Sequence, residues 1–173
     1  MRVGTKSILF GVHQFILHPF FTFLAWWKLY GFPYDPRLWV AFFVHDLGYW
    51  GKPNMDGPEG EMHPELGAKI MSIFGRKWYG FALYHSNFYA KRHGKLISRL
   101  CVADKYAIIL YPTWLYVLLG RLSGELYEYK YHKKYKRQAN YSFLDDYAWF
   151  DVIKVLVGAW VEEKKQNEDW YDF

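Results

Sequence analysis

Apolar residues recur along most of this chain three or four positions apart, the spacing of one helical face, and they are punctuated by glycine and proline. The first such segment covers residues 7–30, with Gly31 as its C-terminal stop, Pro33 barring continuation and Pro19 as a predicted kink. Asp35-Pro36 has the form of an N-cap followed by proline at the first helical position, and it opens a helix that runs through Leu38, Ala41 and Val44 to His45. Residues 48–60 are rich in Gly, Pro, Asn and Asp and predict an irregular loop. A further helix starts at His63-Pro64-Glu65 and ends at Gly75, another includes residues 78–85, and a third opens near Ser98 and reaches Leu110 before Pro112.

Beyond Pro112 the pattern continues with an apolar run over 115–119, tyrosines alternating with lysines over 125–137, and an amphipathic segment over 143–160. The last dozen residues are polar and acidic and predict a frayed tail. β-Branched runs are too short for a sheet. The expectation is an all-α fold of one domain, residues 1–173, with no repeat and no interdomain linker.

Composition sharpens this picture in three ways. Sixteen Tyr, 14 Phe and 9 Trp predict a core built largely of aromatic rings. The formal charge of +5 favours an anionic partner, whether a nucleotide, nucleic acid or membrane head groups. The single cysteine, Cys101, excludes an intramolecular disulfide and, with no cleavable leader in view, predicts a reducing cytoplasm, bacterial or phage-infected. Residues 7–27 carry no formal charge and approach the length of a membrane span. His13, Gln14, His18 and Pro19 fall inside them, so a buried core helix is the expected reading.

Six residues carry the candidate chemistry: His18, His45, Asp46, His63, His85 and Asp104, distributed over five predicted helices or helix ends. Imidazoles and carboxylates together suit a divalent transition metal such as iron, manganese, cobalt, nickel or zinc, and two ions can share Asp46. A single histidine on an apolar face is more often a hydrogen-bonded core residue than a ligand. Here, however, His45 and Asp46 are adjacent, follow an apolar run and precede Leu47-Gly48, where that helix must end. His13 competes with His18 for the first position, and His18 is favoured because its separation from His45 suits a short helical hairpin.

The order His, His-Asp, distant Asp is similar to that of the HD-domain superfamily, and "FFVHDLG" resembles its central motif. "HPELGAKI" at 63–70, "YHS" at 84–86 and "VADKYA" at 102–107 follow in an order that resembles its dinuclear branch, most of all the bacterial symmetrical diadenosine tetraphosphate hydrolases. The resemblance covers about residues 18–110 and leaves about 113–165 as a helical extension. It implies an HD-like bundle with a metal site at its centre. His18, His45, Asp46 and Asp104 would hold one ion, and His63 and His85, bridged by Asp46, a second. The implied activity is hydrolysis of a phosphoanhydride or phosphodiester in a nucleotide or dinucleotide.

Lys52, Lys91, Arg92, Lys95, Arg99 and Lys105 lie near these residues in sequence and are candidates to hold further phosphates, with Lys52, Arg99 and above all Lys105 as the leading three. Glu61, two positions before His63, is a candidate general acid or base, and Glu59 a weaker one. Two other functions share the pattern: a di-iron oxygenase that cleaves a carbon bond, and a non-catalytic nucleotide-binding module. The basic and aromatic run "YEYKYHKKYKR" at 127–137 also fits a nucleic-acid surface, although an exposed helix gives the same letters.

Overall fold

A computed structural model describes residues 1–131 and 140–165. These residues form ten α-helices and three short 3₁₀ turns, and no strand occurs among them. The helices are α1 (Val3–Phe10), α2 (Leu17–Tyr30), α3 (Pro36–Val44), α4 (Pro64–Met71), α5 (Arg76–Leu83), α6 (Asn87–Arg92), α7 (Arg99–Leu110), α8 (Thr113–Ser123), α9 (Glu125–Tyr131) and α10 (Asp146–Lys164). The 3₁₀ turns span Leu47–Tyr49, Gly60–Met62 and Ser72–Phe74.

Local chemistry explains most of these boundaries. The Asp35 carboxylate caps α3 by accepting from the Arg37 amide at 2.9 Å, and Pro36 occupies the first helical position. Gly75 takes a positive φ of 104°, which separates the α4 segment from α5. Pro112 lacks the amide needed to extend α7, and α8 leaves at 107° to it.

The helix expected over residues 7–30 is instead two helices. Gly11 adopts an extended conformation after α1, and a Cβ there would lie 2.4 Å from an oxygen of Glu125, so the break belongs to a tertiary contact. Oε1 of Gln14 then accepts from the amides of Ile16 and Leu17 and starts α2. Pro19 therefore sits in the first turn of α2, where a missing amide costs nothing, and makes no kink. No single helix among the described residues is long and apolar enough to cross a membrane.

Two apolar clusters organise the packing. The larger joins α2, α3, α4, α5 and α7 through Trp26, Phe42, Met71, Phe81 and Leu100. The second joins α8 and α10 to the ends of α1 and α7 through Tyr111, Tyr116, Trp149 and Phe150, with the Tyr116 and Phe150 rings stacked 3.7 Å apart. The helical extension thus packs through α8 against α1 and through α10 against α7. Glu162 to Lys164 of the expected tail belong to α10; residues 166–173 lie outside the described residues.

Candidate metal centre

Helix ends deliver five of the six candidate ligands. His45 follows α3 directly, Asp46 leads into the 3₁₀ turn at Leu47–Tyr49, His63 precedes α4, His85 lies two residues past α5, and His18 is the second residue of α2. Asp104 projects from the middle of α7. All six are buried, His63 being the most open at 8%.

The structure brings them together as two groups sharing Asp46: His18, His45, Asp46 and Asp104, and Asp46, His63 and His85. In the first, Nε2 of His18 lies 3.1 Å from Oδ2 of Asp46, 3.0 Å from Oδ1 of Asp104 and 3.3 Å from Nε2 of His45. In the second, Oδ1 of Asp46 lies 3.5 Å from Nε2 of His63 and 3.4 Å from Nε2 of His85, and those two nitrogens are 3.0 Å apart. The Asp46 carboxylate therefore turns one oxygen to each group.

Backbone carbonyls fix which ring nitrogens face inward. Nδ1 of His45 is 2.9 Å from the carbonyl oxygen of Phe42, Nδ1 of His63 is 2.7 Å from that of Gly60, and Nδ1 of His85 is 2.5 Å from that of Ala82. Each partner is the carbonyl three residues earlier, and that of Gly60 also accepts from the His63 amide at 3.0 Å. A carbonyl only accepts, so each Nδ1 donates to its carbonyl and Nε2 is the ring nitrogen turned to the centre. The Nε2 atoms of His63 and His85 thus stand 3.0 Å apart, a spacing at which a single cation can be coordinated by both rings. The donor set, two imidazoles or more with a shared carboxylate, fits a transition ion in each group.

Charge follows the same logic. Burial draws the His18 imidazole down, but hydrogen bonds to Asp104 and Asp46 and their charges outweigh it and raise its pKa to about 9. Burial pushes the Asp46 carboxyl up, yet His45, His18 and His85 hold it well below the usual carboxylate range. Asp104 is likewise held low against burial, first by the neighbouring ammonium of Lys105, 3.0 Å away. Burial, and then the adjacent His85, keeps His63 neutral, well below the ordinary histidine value.

Two close contacts shape the second group. The Tyr49 ring stacks on the His63 imidazole, 3.9 Å between centroids and 12° from parallel, and fixes its plane. Gly48 abuts the same residue, because a Cβ on it would stand 1.9 Å from the His63 carbonyl oxygen. Gly48→Ala is therefore expected to cost about 3 kcal/mol or more in denaturant unfolding and to weaken metal binding by moving His63. Gly158→Ala in α10, where the new methyl meets only Ile109 at 3.7 Å, is expected to stabilise by about 0.5–1 kcal/mol and serves as the control.

A cavity of about 390 Å³ opens onto both groups. Lys105, Lys91 and Glu61 line it, and so does His13. Arg99 does not: its guanidinium lies 5.1 Å from the centroid of the Tyr30 ring, on another face of α7. Lys52 lines a separate depression with Trp50 and Glu65, and Glu59 is bonded to Asn54 in the loop. The far wall is apolar and comes from the extension, with Tyr116 of α8 and Trp149, Ile153 and Val157 on one face of α10. These three are spaced by fours within the segment expected to be amphipathic over 143–160, and the fold shows what that face covers.

The basic run at 127–137 is described only as far as Tyr131, and His132 lies outside the described residues. Within the described part, Lys130 is buried and donates to the Leu144 carbonyl and to Asp146, at 2.6 and 2.8 Å.

Comparison with protein-family models, curated proteins and solved structures gave no match for this chain. The fold and site define an all-helical protein with buried histidine and aspartate groups able to hold a metal ion.

Proposed function

We propose that this protein is a metal-dependent phosphohydrolase of the HD type acting on a nucleotide. The observation that supports the reading most is the convergence of three imidazoles, each held at Nδ1 by a backbone carbonyl, on a carboxylate shared between two groups, beside an open cavity. His18, His45, Asp46 and Asp104 would hold one ion and His63, His85 and Asp46 another. Ions held there would supply Lewis acidity toward water and toward a phosphoryl oxygen.

The chain's own residues supply the rest. Lys105 and Lys91 place positive charge on the cavity lining, where it offsets that of a phosphate. Glu61 shares that lining and is the candidate proton donor toward a leaving group. Tyr116, Trp149, Ile153 and Val157 take the non-phosphate part of the substrate and exclude water around it. A volume of about 390 Å³ stands near the lower end of the roughly 300–1,000 Å³ spanned by small-molecule sites, which favours one nucleoside with its phosphates over a dinucleotide.

The test is a nucleotide panel assayed under anaerobic conditions with manganese, cobalt or iron, together with oxygen-electrode measurements. Phosphate release without oxygen consumption is expected, and Glu61→Gln is expected to slow it by about 100-fold. Oxygen uptake by the iron form with no phosphate release would instead mark a di-iron oxygenase. Nucleotide binding without any turnover would mark a binding module.

A further inference from the structure

We propose that His13 is the proton-accepting base of this site and that the buried carboxylate of Glu125 positions it, an inference that rests on the hydrolase reading above. His13 lies between α1 and α2, and its ring centroid is 5.0 Å from that of His18 and 5.3 Å from that of Tyr49. It lines the cavity that opens onto the metal-ligand groups yet belongs to neither of them. Its Nδ1 donates to Oε1 of Glu125 over 2.6 Å.

Glu125 begins α9 and is fully buried. Besides His13, it accepts from the Ser7 hydroxyl at 2.7 Å, the Ser123 hydroxyl at 2.6 Å and the Val12 amide at 2.8 Å. A buried carboxylate persists as an anion only when its oxygens are satisfied, and four donors do so here. Burial pushes this carboxyl up, and the histidine and the other donors more than offset that, holding it below its ordinary value.

An ionised carboxylate only accepts, which puts a proton on Nδ1 and makes Nε2 the ring nitrogen that can exchange a proton with the cavity. No hydrogen bond to Nε2 comes from any described residue, and the side chain retains 13% exposure. The pair thus has the form of a carboxylate-oriented imidazole base. In the hydrolytic step the oxygen of water bonds to phosphorus as the bond from phosphorus to the leaving oxygen breaks. Nε2 takes the proton that water gives up, Glu125 balances the resulting imidazolium, and Glu61 gives a proton to the leaving oxygen; loss of the imidazolium proton to solvent and reprotonation of Glu61 then restore both groups.

The same set of contacts would also arise if His13 merely tied α1 to α9, so the test uses readouts that such a tie leaves alone. Long-range ¹H–¹⁵N spectra of the full chain, metal-free and zinc-loaded, with the His13 signals assigned from His13→Gln, are expected to show Nδ1 protonated and Nε2 bare in both forms. A proton on Nε2, or a zinc-induced shift that makes it a ligand, would overturn the proposal. With manganese-loaded protein and bis(4-nitrophenyl) phosphate or adenosine 5′-triphosphate as probes, His13→Ala is expected to lower kcat by about 100-fold or more. KM should stay within about twofold and manganese content should be unchanged, as expected for a group that acts in the transition state alone. Added imidazole should restore part of the rate, and Glu125→Gln should lower kcat by about tenfold or more with the fold intact by circular dichroism. Retention of kcat within about threefold by His13→Ala, or a loss that imidazole does not relieve, would show that His13 is not the base. A wild-type protein that binds manganese but hydrolyses neither probe would defeat the hydrolase reading and this one with it.

Discussion

Asp46→Ala is expected to reduce the affinity for divalent metal by more than about 100-fold, because loss of a group that only orients a ligand already costs 10- to 100-fold. The size of the effect comes from the position of this carboxylate, whose two oxygens face different sets of imidazoles. Removing it strips a ligand from both groups at once, whereas His63→Ala removes one ligand from one group. Elemental analysis of the purified variants checks the contrast: Asp46→Ala should be nearly free of metal, and His63→Ala should keep an ion in the His18 group. Asp46→Asn, which preserves volume, separates loss of coordination from loss of packing, and circular dichroism confirms that each variant is folded. Equal metal content in Asp46→Ala and wild type would exclude Asp46 as a shared ligand.

Chelation is expected to have the second large effect, on stability. Without a cation, the centre crowds four imidazoles and two carboxylates into a buried space, with ring nitrogens 3.0 and 3.3 Å apart, a costly arrangement. An ion that binds only the folded chain adds about 4 kcal/mol when its free concentration is about 1,000 times Kd. For a chain of this size each kcal/mol moves Tm by roughly 2–4 °C, so the loaded protein should melt roughly 8–16 °C above the chelated one. A calorimetric scan with and without chelator measures the difference. Identical melting temperatures would mean that the centre holds no ion tightly in the folded state.

The clustered histidines and aspartates were legible in the sequence because five of the six stand at helix ends marked by ordinary stop and start signals. Val44-His45-Asp46-Leu47-Gly48 shows this: the apolar run predicts the helix, and its termination predicts where the two polar residues emerge. Asp35-Pro36 and Ser98 marked helix starts for the same local reasons. What stayed hidden depends on contacts between distant residues. Nothing near Gly11 announces a break, since the atom that demands it belongs to Glu125, more than a hundred positions away. The Glu125 to His13 pair escaped notice for the same cause, as did the stacking of Tyr49 on His63.

Proximity in sequence also misled where direction mattered. Arg99 precedes Asp104 by five residues, which turns it roughly 140° around α7 and away from the cavity. Ile108, four residues after Asp104, falls on the same face and does line it. Lys52 follows Gly51, whose φ of 79° redirects the chain to a different surface. Lys105 remains on the cavity wall, though part of its charge is already engaged by Asp104.

The central claim, that six buried side chains from five parts of the chain hold metal, is tested most directly by diffraction from crystals soaked in manganese and recorded near its absorption edge. Two anomalous peaks on opposite sides of the Asp46 carboxylate are predicted, one beside His18, His45 and Asp104 and the other beside His63 and His85. Crystals that bind manganese only at surface carboxylates, with water or nothing between these imidazoles, would contradict it.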